Sequence, residues 1–151
     1  MIKKFLILIL SIIFIYGCSY EPIYSKKNKA NFSIEEISFK GNREINNFIN
    51  QKLDKYKNKE GKKISIEVTS LYKKESQSKN TSGTTTRFNL EASVNFVITT
   101  GNSTSDINIV KDFIMNNLSD EFEEKKYENT IKDNLSESIV NELLLYLPRI
   151  K

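Results

Sequence analysis

Cys18 is the residue whose surroundings most clearly announce a chemistry. The chain has this single cysteine, no histidine and no tryptophan. A lone thiol cannot close an internal disulfide, so in an oxidising compartment it needs another use. Directly before it stand Ile15-Tyr16-Gly17, which end an apolar run that begins at Phe5 behind Lys3 and Lys4. A basic start, an apolar stretch of about 7–15 residues and a small residue at its end are the parts of an export signal. The run is shorter than the roughly 20 residues that a bilayer-spanning helix needs.

An aliphatic residue three places before the cysteine and a small one directly before it resemble the bacterial lipobox. That resemblance implies that residues 1–17 are a lipoprotein signal peptide, removed so that Cys18 becomes the first residue and carries acyl chains. The alternatives are an ordinary secretory signal with an incidental cysteine, or an uncleaved anchor. Each buried CH2 contributes about 0.8 kcal/mol, so more than one acyl chain would hold the protein on a membrane essentially permanently. Ser19 follows where an aspartate would favour the inner membrane, which leans towards the outer one.

Little else in the chain can run a reaction. Without histidine, a second cysteine or a Gly-rich phosphate loop, the usual metal sites and nucleophile–base pairs are closed, and no catalytic residue, metal or cofactor is expected. Carboxylates such as Glu35, Glu36 and those from Asp120 to Glu124 read as solvated faces. The formal net charge is +4, and Lys3 and Lys4 belong to the signal, so no nucleic-acid partner is expected. The distribution says more. From Lys26 to Lys63 there are 11 basic and 5 acidic residues, and from Asp106 to Glu142 there are 4 basic and 10 acidic.

The elements that must position these residues follow from periodicity. Residues 18–31 read as a lipidated linker: Ser19 to Tyr24 is extended, since Pro22 biases Glu21 away from the helical region, and its two tyrosines and Ile23 suggest that it lies on the body, while Lys26 to Asn31 is short, basic and polar. Phe32 to Lys40 reads as a strand with a register break near Glu35-Glu36, ended by Gly41. Asn42 is a plausible helix cap, and Ile45, Phe48, Ile49, Leu53 and Tyr56 share one helical face. Ile64, Ile66, Val68 and Tyr72 then alternate with polar residues as a half-buried strand does. Lys73 to Arg87, polar and rich in turn formers, reads as an exposed hairpin tip. Phe88, Leu90, Ala92, Val94, Phe96 and Ile98 alternate as the clearest strand in the chain. A turn at Gly101-Asn102-Ser103 leads to a fourth strand, about Ser105 to Met115. Ser119 is the expected cap of a long helix to Leu147, with Tyr127, Ile131, Leu135, Ile139, Leu143 and Leu147 on one stripe and Pro148 as its stop. At about 1.5 Å per residue it would span roughly 40 Å, longer than a small sheet needs, so a kink near Asn134 to Glu137 or a frayed acidic start is expected. The fold class is α+β, a mainly antiparallel four-stranded sheet with two helices packed on one face, in the order β-α-β-β-β-α.

Gly17-Cys18-Ser19-Tyr20-Glu21-Pro22-Ile23-Tyr24 and the closing helix with its Ile139, Leu143 and Leu147 stripe and Tyr146-Leu147-Pro148 end resemble the lipopolysaccharide-assembly lipoprotein (LptE) family, in its short alphaproteobacterial-type form. The resemblance implies that residues 32–151 form one LptE-like domain. It further implies an outer-membrane lipoprotein on the periplasmic side that plugs the lipopolysaccharide-translocating barrel, an LptD-type protein, assists its assembly and binds lipopolysaccharide. Lys73, Lys74, Lys79 and Arg87 are then the expected lipopolysaccharide contacts. The alternative is an auxiliary lipoprotein of an ABC-type lipid or solvent export system.

Overall fold

Alternating strands and two amphipathic helices assemble as the periodicity requires. The computed structural model describes residues 32–150, so the signal, Cys18 and the linker lie outside the described residues. The order is β1 (Phe32–Gly41), α1 (Arg43–Leu53), β2 (Lys62–Lys79), β3 (Thr85–Thr100), β4 (Ser103–Asn116) and α2 (Glu121–Tyr146). Short 3-10 turns, Asp54–Tyr56 and Leu147–Arg149, follow the two helices. The sheet runs β1-β2-β3-β4; β1 is parallel to β2, as its connection through α1 requires, and the other two pairings are antiparallel.

One face of the sheet carries the core. Ile64, Ile66 and Val68 of β2, Leu90 to Ile98 at every second position of β3, and Ile109 and Met115 of β4 are buried. They lie beneath Ile45, Ile49 and Leu53 of α1 and Ile131, Leu135, Ile139, Val140 and Leu143 of α2. No helix covers the other face among the described residues. Along β3 it presents Arg87, Asn89, Glu91, Ser93 and Asn95, the polar half of the alternation.

Local chemistry sets the boundaries. The ladder between β1 and β2 shifts between Ile34 and Glu36, the expected bulge. At the end of β1, Gly41 has φ +94°, and a Cβ there would strike the Ser70 carbonyl of β2. Asn42 caps α1, its Oδ1 accepting from the N–H groups of Glu44 (3.1 Å) and Ile45 (3.0 Å). Ser70 Oγ donates to Asn46 Oδ1 (2.7 Å), fastening the first turn of α1 to β2. β3 and β4 are joined through Gly101 (φ +54°) and Asn102, a two-residue loop with glycine first.

Three expectations change. The polar stretch from Lys73 to Arg87 is mostly strand: β2 runs to Lys79 and β3 starts at Thr85, leaving only residues 80–84 as the turn. Pairing of hydroxyls, Ser76 with Thr85 (2.9 Å) and Ser78 with Thr86 (3.0 Å), holds strands that have no helix above them and hence no apolar pattern. The last helix is unbroken over 26 residues, its acidic first turn included. Strands of 18 and 16 residues, at about 3.3 Å each, give it more than enough sheet to lie on. Its cap is Asp120, which accepts from the Glu123 N–H (3.0 Å), one residue after Ser119. Pro148 sits inside the terminal 3-10 turn.

Candidate functional site

Alternation along the hairpin decides where its cations point. Lys73 and Lys74 are neighbours in β2 and so face opposite sides of the sheet. Lys73 lies on the uncovered face, 4.0 Å from Glu91. Lys74 lies on the helix face, where its Nζ meets Glu124 (2.8 Å) and Glu128 (2.9 Å) of α2 and sits 4.4 Å from the centre of the Phe88 ring. Lys79 closes β2 beside the turn. Arg87 shares the uncovered face with Lys73 and donates from Nε to Ser78 Oγ (3.1 Å). The four residues therefore do not form one patch: Lys73 and Arg87 share one face, and Lys74 is engaged on the other.

Lys74 belongs to a polar network that the sequence reading missed. Lys132 of α2 is buried against the sheet, with its Nζ 2.6 Å from Glu44, 3.0 Å from Glu128 and 4.5 Å from the Tyr72 ring centre. Tyr72 donates its hydroxyl to Glu128 (2.9 Å). Glu128 thus accepts from Tyr72, Lys74 and Lys132 at once. Burial alone would push its carboxyl up, but the hydrogen bonds from Lys74, Lys132 and Tyr72 outweigh it and hold the carboxyl below the usual range. Burial likewise opposes charge on Lys132, yet Glu44 and Glu128 hold its ammonium above the ordinary lysine value. Burial and the bond to Glu128 push the Tyr72 phenol well above its ordinary value. The sequence signal was Glu124, Glu128 and Lys132, each four residues on, along one helix face.

Further ion pairs fasten the same helix. Lys52 of α1 meets Asp133 (2.7 Å) and Glu137 (3.5 Å) of α2, and Lys111 of β4 meets Glu142 (2.6 Å). The acidic helix is fastened by cations from α1, β2 and β4. Of the cations in the basic stretch from Lys26 to Lys63, Lys52 is the one that meets the acidic stretch among the described residues.

Among the described residues there is no cluster of His, Cys, Asp and Glu arranged to hold a metal ion, and no helix is long and apolar enough to cross a membrane. The arrangement offers surfaces: a polar sheet face, a protruding hydroxyl-rich hairpin with Lys79 and Arg87 near its tip, and the free edge of β4.

The chain matches no family model and no curated protein. Solved structures that resemble it include the rare lipoprotein B of Shewanella oneidensis, 10% identical over 72% of this chain and 93% of that one, with a TM-score of 0.53. A minor lipoprotein of Acinetobacter baumannii is 13% identical over 77% and 95% of the two chains, with a TM-score of 0.51. Lipoprotein B of Nitrosomonas europaea is also 13% identical, over 78% and 85%, with the same TM-score of 0.51. At such identities the likeness is one of architecture: residues 32–150 have an α+β fold that also occurs in these bacterial lipoproteins.

Proposed function

We propose that this chain is an outer-membrane lipoprotein, tethered through Cys18 on the periplasmic side, that plugs the lipopolysaccharide-translocating barrel, assists its assembly and binds lipopolysaccharide. The observation that carries this reading is the sheet with one face buried under two helices and the other uncovered and largely polar, with Leu71, Val110 and Ile114 exposed among its polar residues. Large outer-membrane barrels have wet, polar interiors, and a rigid body whose open sheet face is largely polar is suited to sit in one. The lipobox-like Ile15-Tyr16-Gly17-Cys18 and the fold shared with bacterial lipoproteins support the same reading. In Cys18→Ala, the unprocessed, unlipidated precursor should accumulate in membrane fractions. Mature, correctly placed protein from that variant would contradict the tether.

Lipopolysaccharide contact falls on the hairpin. Lys73, Lys79 and Arg87 have donors to spare, whereas Lys74 braces the hairpin's root against α2. Each cation near an anionic lipid surface is worth about 1 kcal/mol, so changing Lys73, Lys79 and Arg87 together to Ser should weaken lipopolysaccharide binding on the order of a hundredfold at low salt. Undiminished binding by that triple variant would remove the hairpin from the lipid-binding role.

A further inference from the structure

β4 is a free edge of the sheet, and its protection is confined to three charged residues, Asp106, Lys111 and Asp112. Among the described residues it pairs only with β3, in unbroken register from Ser103 to Asn116. It contains no proline, no glycine and no bulge, whereas β1 at the opposite edge carries the shift at Glu35. A long, straight edge with unpaired N–H and C=O groups is a template for another strand.

Both sides of that edge are unfinished. On the uncovered face, Asp106, Asn108, Val110, Asp112 and Ile114 stand in a row, with Val110 47% and Ile114 46% exposed. Asp112 lies opposite Glu91, whose cation Lys73 is on the far side, so the row across the sheet runs Lys73, Glu91, Asp112 with two acids adjacent. Like charges directly opposite destabilise a pair, and a cation on the next strand would offset them. Asp106 lies opposite Val97, with Glu67 beyond it, so in its row no cation stands on these strands. On the other face, α2 overhangs the edge. Ser138, Asn141, Leu145 and Tyr146 line a groove beside Lys111, and Leu145 is 68% exposed.

We propose that β4 is a docking edge for an extended segment of another protein chain, which adds a fifth strand. Its basic residues, six apart on one face, meet Asp106 and Asp112; apolar residues between them cover Val110; its other face enters the groove beside Leu145. Strand addition draws affinity from main-chain hydrogen bonds and specificity from alternate side chains. A second copy of this chain is a poor match, because the charges that β4 turns to the uncovered face, Asp106 and Asp112, are both acidic. This inference does not depend on the barrel reading.

The probe is the heptapeptide Lys-Thr-Val-Leu-Val-Thr-Lys, whose symmetry serves either strand direction, compared with its Glu-ended counterpart. With the full mature chain, the Lys peptide should bind and slow amide exchange across Ser103–Asn116, and the Glu peptide should bind about tenfold more weakly, from two lost cross-strand pairs. The doubly changed chain, Asp106→Lys with Asp112→Lys, should reverse that preference. Equal binding of the two peptides, or binding of neither at millimolar concentration, would overturn the proposal. So would an isolated chain whose outward β4 amides are already protected, by its own residues 18–31 or by a second copy.

Discussion

Phe96→Ala should lower the stability of this protein by about 4 kcal/mol. Phe96 lies near the middle of β3, fully buried, opposite Val68 on one side and Ile107 on the other. Helices close the core above it, so the surroundings cannot collapse far into the space a ring leaves, and the lost transfer energy is joined by a cavity cost. A domain of this size is stable by about 5–15 kcal/mol, so the loss takes a large share of the total. Chemical denaturation should show a much lower midpoint with an unchanged slope. The neighbouring Asn95→Ala, on the uncovered face, should stay within about 0.5 kcal/mol. Equal effects at Phe96 and Asn95 would mean that the two faces of β3 have been misassigned.

Glu128→Gln should cost about 2 kcal/mol at neutral pH, and the cost should depend on pH. The amide keeps the shape of the side chain but removes the charge that Lys74, Lys132 and Tyr72 all address. Glu124 and Glu44 remain to hold the two lysines, which keeps the loss below the roughly 3–5 kcal/mol of a fully orphaned buried ion. The sign follows from the folded-state shifts. Glu128 and Glu124 are held below their ordinary value of 4.5, so their contribution is complete above that pH and disappears as pH falls through the lowered folded value. Lys52, Lys74 and Lys132 are held above 10.5, so theirs is complete below that pH and is lost as pH rises past it. Stability should therefore be flat from about pH 5 to about pH 10 as far as these groups are concerned. The gap between the parent protein and Glu128→Gln should close in acid. A gap that persists well below pH 3 would show that the network stabilises by packing and not by charge.

What could be read from the amino acids follows what is buried. Every inward residue from Leu90 to Ile98 was legible, because a strand with one face in the core must alternate. So were Asn42, Gly41 and the bulge near Glu35, which are backbone requirements written in residue type. The hairpin from Lys73 to Arg87 was misread as a loop because its outer length is exposed on both faces and carries no apolar period. Its threonines were the remaining hint of strand. The helix start slipped by one residue, since Ser119 and Asp120 are both competent caps. Because Lys73 to Arg87 is mostly strand, Lys73 and Arg87 fall on one face of the sheet and Lys74 on the other, a division that a turn would not impose. The sequence showed that one half is basic and the other acidic. Which lysine meets which carboxylate depends on how α2 lies across the sheet, and no local pattern encodes that.

The central proposal is that this chain works, as a lipoprotein, inside an outer-membrane barrel. Purifying the native protein from detergent-solubilised membranes and identifying its stoichiometric partner tests that proposal most directly. The expected result is one large, heat-modifiable β-barrel recovered in equal amount, from the outer-membrane fraction. Recovery instead with an inner-membrane ATPase complex would contradict the claim and point to a role in lipid or solvent export.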